Sequence, residues 1–130
     1  MKTRQLFACV ALTLAGSAFA AGDAHNHTHE HKPLHGGIVV EASDIDFELV
    51  ARADVITLYV RDHGKPAATL GATGKLTLLS GADKAEAVLA PAGDNKLEAK
   101  GSFKVAPGTK LVATVTLAGK KAVNVRFAIK

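Results

Sequence analysis

The sequence predicts an all-β chain: an immunoglobulin-like antiparallel β-sandwich of seven or eight strands, preceded by a disordered His-rich tail. Three observations carry this expectation. Apolar and polar residues alternate in period two beyond Gly37, turn-forming clusters recur at roughly ten-residue spacing, and no stretch of helical periodicity separates them. At 130 residues the chain is long enough for one domain with a real core and short for two.

Residues 1–20 read as a secretory signal peptide. Lys2 and Arg4 precede an apolar run from Leu6 to Ala15, and Ala18-Phe19-Ala20 fits the rule for cleavage after a small residue. The run is shorter than the roughly 20 residues a membrane helix needs, so no stable membrane anchor is expected. Cleavage after Ala20 also removes Met1 and Cys9, the only methionine and the only cysteine. The exported chain then has no disulfide, no thiolate and none of the soft ligands that select Cu(I). Its formal charge falls from +4 to about +2 with the loss of those two cations, and the remaining charges are interspersed. Nucleic-acid binding is not expected: there is no basic stripe, no tryptophan, and only Phe47, Tyr59, Phe103 and Phe127 as aromatics beyond the signal.

Residues 21–34 form the tail. The stretch from Ala21 to Lys32 is polar and almost free of apolar side chains, so burial cannot offset the entropy of ordering it. Pro33 and Gly36-Gly37 close this segment, and the β domain is expected over 35–130. Alternation places Ile45, Phe47 and Leu49 toward a core, with Asp44, Asp46 and Glu48 toward water. It likewise points Ile56, Leu58 and Val60 inward and Thr57, Tyr59 and Arg61 outward. Leu76 and Leu78, then Leu111, Ala113, Val115 and Leu117, then Val123, Val125, Phe127 and Ile129 repeat the pattern. Lys84–Ala90 has helix-favouring residues but is bounded by turns and too short to stand alone as a helix, so a strand is expected. Ala67–Thr73 is compatible with a loop or a sheet-crossing edge. The clusters at 62–66, 80–83, 91–95, 106–109 and 118–121 are rich in Gly, Pro, Asp and Asn, which reverse the chain.

Chemistry concentrates in the histidines. Of six, five lie within eleven residues: His25, His27, His29, His31 and His35, the first four as H-x-H-x-H-x-H. In an extended chain, residues two apart project to one side about 6.8 Å apart. A pliable segment can then fold around one ion and bring several ring nitrogens to about 2.0–2.1 Å from it. Imidazole suits Zn, Cu(II), Co and Ni, and Asp23 and Glu30 add oxygen ligands. Were cleavage to fall after Gly22 rather than Ala20, the new N-terminus Asp23-Ala24-His25 would wrap Cu(II) or Ni in square-planar nitrogen coordination. His63 stands apart, at the tip of an expected hairpin, and is either a plain turn residue or a partner for His35 in a structured metal site. The acids at Asp44, Asp46 and Glu48 are read as the wet side of a strand, with cation binding as the other use. Catalysis is not expected, because no G-x-S-x-G elbow, H-E-x-x-H helix or phosphate loop is present.

Leu34-His35-Gly36-Gly37, Leu58 through Pro66, Gly71-Ala72-Thr73-Gly74-Lys75 and Gly101 through Gly108 resemble small periplasmic proteins of Gram-negative bacteria associated with heavy-metal efflux. They are also similar to the N-terminal region of periplasmic adaptor subunits in cobalt-zinc-cadmium type resistance-nodulation-division pumps. The resemblance covers about residues 34–130. It implies a periplasmic location, heavy-metal resistance and a β-sandwich. The hairpin and membrane-proximal parts by which an adaptor joins its pump have no counterpart here, so a stand-alone metal binder or accessory factor is expected. A different class of function remains open: an interaction module that docks on an efflux component, with its histidines incidental.

Overall fold

The computed structural model describes residues 32–130. Residues 1–31, on which the expected signal peptide and most of the expected tail fall, with His25, His27, His29 and His31, lie outside the described residues. Among those described, no helix is long and apolar enough to cross a membrane.

Among the described residues all nine regular elements are strands: β1 (Ile38–Ala42), β2 (Ile45–Ala51), β3 (Val55–Asp62), β4 (Lys65–Pro66), β5 (Thr73–Ser80), β6 (Asp83–Pro91), β7 (Lys96–Lys100), β8 (Lys110–Thr116) and β9 (Val123–Ala128). Every pairing is antiparallel, and the hydrogen-bonded order is β1-β2-β3-β7-β6-β5-β8-β9, with β4 beside β3. The ladder therefore runs unbroken through what would be two sheets. β6 makes the turn between them: Gly74 to Ser80 pair with its length, while Ala90 and Pro91 at its end pair with Glu98 and Leu97 of β7. At the other end of the order β1 and β9 approach one another without a ladder, so the sheet is nearly closed into a barrel.

The count exceeds the expected seven or eight because the turn between β1 and β2 and the two-residue strand β4 were not legible. Ser43 and Asp44 turn β1 into β2 with φ of 53° and 65°, although neither is a glycine. This two-residue turn has positive φ at both centres, the geometry that matches strand twist in tight hairpins. His63 and Gly64, with φ of 54° and 80°, make the same kind of turn, and β4 is the two-residue strand that follows.

The residues the alternation selects face inward, and Leu89, Leu97 and Ala99 join them. Phe47, Leu49, Ile56, Leu58 and Val60 meet Leu97 and Ala99 from one side of the barrel and Leu76, Leu78, Leu89, Leu111, Ala113, Val115, Val125 and Phe127 from the other, all buried. Lys84–Ala90 is a strand, as its bounding turns require. Ala67–Ala72 is a loop, and Thr69 fixes it: the fully buried hydroxyl donates to the Gly93 carbonyl at 2.8 Å, with the Lys96 carbonyl at 3.2 Å.

Candidate functional site

The outward face of β1, β2 and β3 is not bare. Asp46, Glu48, Thr57 and Arg61, expected in water, are buried, and Glu48 is 0% exposed. Only Asp44 of the three acids on that face is exposed, in the β1–β2 turn. The alternation sorted residues between two faces correctly, but it carries no information about what covers the second face. Over Glu48 and Arg61 the cover is the chain from Lys32 to Gly37, and the Thr57 hydroxyl donates to Glu98 of β7 at 3.4 Å.

Glu48 holds that segment down. Its carboxylate accepts the backbone N–H groups of Leu34 at 2.9 Å, His35 at 2.7 Å and Gly37 at 2.9 Å. Three amides converging on one anion form a cradle of the kind successive peptide dipoles build around negative charge. The adjacent glycines make it possible in different ways. Gly36 has φ of +73°, which a side chain would strain, and a Cβ on Gly37 would lie 2.3 Å from the Leu49 carbonyl oxygen. Arg61 completes the setting, its guanidinium donating to the Lys32 carbonyl at 3.0 Å with Nη2 4.0 Å from Glu48 Oε1. Burial pushes the Glu48 carboxyl up, but the three backbone donors and the His35 ring outweigh it and leave the group below its usual range.

His35 is therefore fixed rather than part of a loose tail. Its Nδ1 lies 3.2 Å from Glu48 Oε1, and its ring stacks on Tyr59 with centroids 3.6 Å apart and planes within 1°. The register explains the grouping: Glu48 is directly opposite Tyr59, so the two side chains share a face and His35 closes over both. The side chain of His35 is 38% exposed.

His63 is elsewhere. It lies beside Ile45 and Asp62 at the turn end of β2 and β3, three residues along β2 from Glu48, or about 10 Å at strand rise. The structure thus does not bring His63 and His35 into one site. His63 Nδ1 bonds to Asp62 Oδ1, and Lys120 Nζ lies 3.5 Å from the other oxygen. The Asp62 carboxyl is held below its usual range by that His63 bond first and by Lys120 as well. Glu41, Asp44, Asp46 and His63 line a small cleft at this end. Among the described residues no group of three or more His, Cys, Asp or Glu is arranged to hold a metal ion by itself.

Glu48, Tyr59 and Arg61 were not singled out as partners of His35 in the sequence. The only signal was the pair of glycines directly after His35, which marks a close backbone approach without naming the group approached. Comparison with protein-family models, curated proteins and solved structures finds no match to the chain.

Proposed function

We propose that this chain is an exported, periplasmic metal-binding protein in which the histidine-rich segment captures Zn, Cu(II), Co or Ni and buffers the ion or delivers it to an efflux system. The observation that carries the reading is continuity. His25, His27, His29 and His31 alternate along a segment that runs directly into His35, a partly exposed imidazole anchored on a buried carboxylate. Several imidazoles tethered within reach of one ion have few chemical uses other than coordination. The efflux context and the periplasmic location rest on the signal-peptide pattern and on the family resemblance of the strand and turn motifs. The same resemblance favours a sandwich of the immunoglobulin kind for the β domain, with β6 crossing between the two layers.

The test is a calorimetric titration of Zn²⁺ and Cu²⁺ at pH 7.5 into the exported protein and into a form lacking residues 21–31. This deletion spares the strap from Lys32 to Gly37 on which the β1–β3 face depends. Binding lost or strongly weakened in the shortened form supports capture by the tail. Unchanged binding assigns the site to the β domain.

One observation favours a second reading, docking on a protein partner. Val88 is 75% exposed on β6, beside a groove lined by Ala90, Pro91, Ala92, Glu98 and Lys100. A pull-down that recovers an efflux component equally well with and without a chelator supports docking independent of metal.

A further inference from the structure

β6, at nine residues the longest strand, joins the β1–β2–β3–β7 group to the β5–β8–β9 group, and only its last residues make the connection. Ala90 pairs with Glu98, and the Ala92 N–H donates to the Lys96 carbonyl at 2.9 Å. Even-numbered residues here thus turn their backbone groups toward β7. The hairpin with β5, closed by Gly81-Ala82 between the paired Ser80 and Asp83, directs the odd-numbered ones toward β5. From Val88 back to Lys84 the even row loses its neighbour. β7 ends at Lys100, and the chain beyond it bends to the turn between β2 and β3, where the Gly101 and Phe103 N–H groups donate to the Asp54 and Ala53 carbonyls. Among the described residues no ladder covers that edge of β6, and Lys84, Ala85, Glu86 and Val88 are exposed.

An open edge is a template for another strand, and a lone edge lysine guards against a second copy by repelling its own image. Glu86 cancels that guard. Lys84 and Glu86 stand on one face of β6 with Nζ and Oε1 3.8 Å apart, and the other Glu86 oxygen lies 3.5 Å from Lys75 Nζ of β5. When two copies of β6 run antiparallel about a two-fold axis at Ala85, each Lys84 stands opposite the partner's Glu86, and both residues point their backbone groups across the seam. An axis at Glu86 would instead set that carboxylate against its own image, which is destabilising. We propose that the edge of β6 from Lys84 to Val88 is a self-association surface, on which a second copy of this chain adds its own β6 in the register that crosses Lys84 with the partner's Glu86 twice. This goes beyond the metal-binding reading and does not rest on it. The contact amounts to about four backbone hydrogen bonds and two charge pairs, so the dimer is weak and reversible.

The test is sedimentation equilibrium of the exported form, Ala21 to Lys130, with a chelator present so that no ion bridges two chains. A monomer in reversible exchange with a dimer is expected as concentration rises. Lys84→Glu and Glu86→Lys should each weaken association by about 10-fold or more, because each sets like charges opposite one another at both crossings. An equimolar mixture of the two variants should restore it, because every glutamate then faces a lysine of the other chain. Cysteines read the register separately: across a non-hydrogen-bonded pair the Cα atoms lie about 4.5 Å apart, within reach of a disulfide. Under mild oxidation Ala85→Cys should cross-link two chains and Ala87→Cys should not, and this readout stands if a charge variant does not fold. A protein that stays monomeric at millimolar concentration overturns the proposal. So does a dimer indifferent to the charge variants, a mixture of folded variants that stays apart, or cross-linking through Ala87. Association that appears only when residues 21–31 are removed assigns the edge to that segment of the same chain and overturns it too.

Discussion

Glu48 shows how one side chain can serve stability and chemistry together. A carboxylate out of water is costly unless its charge is met by donors, and here three amides and a histidine meet it. Because its folded-state pKa lies below the unfolded value of about 4.3, the group's contribution to stability is complete above that value and is lost as pH falls through the folded pKa. Chemical denaturation followed from pH 7 down to 3 should therefore show a plateau at neutral pH and a fall once pH drops below about 4.3, and Glu48→Gln should flatten that fall. A variant whose acid profile matches the parent's would show that Glu48 is not the group responsible. At this scale the sequence was least legible. Asp46 and Glu48 alternate with Ile45, Phe47 and Leu49 as the acids of any wet strand face do, and nothing in their own spacing shows that the strap from Lys32 to Gly37 will cover them.

At the scale of elements, most of the architecture follows from period-two patterning. Leu111–Leu117 and Val123–Ile129 face inward at alternate positions, and Lys84–Ala90 is a strand because its turns leave no room for a helix. Elements whose cause is not periodic were less legible. The Ser43-Asp44 turn adopts positive φ without glycine, and β7 contributes only Leu97 and Ala99 to the core, too few for a pattern to stand out. The loop 67–72 combines a turn, with Gly71 at φ of 79° and the Ala72 N–H on the Thr69 carbonyl, with one buried hydroxyl. Thr69→Val keeps the shape and removes the donor to the Gly93 carbonyl. It should cost about 1–3 kcal/mol, the penalty for a buried polar group left without its partner. Urea unfolding measures it directly, and a loss below about 0.5 kcal/mol would mean that water replaces the hydroxyl or that the loop packs without it.

For the whole molecule, the barrel is held by its apolar interior, since the described residues include no cysteine to cross-link it. Phe47, on the central strand of the β1–β2–β3 group, is the largest fully buried side chain among the described residues. Phe47→Ala should cost about 3–5 kcal/mol, from lost burial and the cavity left behind. Against a typical total of about 5–15 kcal/mol, much of the protein should unfold at moderate temperature, visible as a large fall in Tm by circular dichroism. A shift of only a few degrees would show that the two layers collapse to fill the space. The architecture holds His35 against one face of the β scaffold, and four further histidines precede it in the sequence. The most direct test is X-ray absorption spectroscopy of the exported protein loaded with one equivalent of Zn²⁺ at pH 7.5. The account predicts a first shell dominated by imidazole nitrogens at about 2.0–2.1 Å, and a shell made only of oxygen would contradict it.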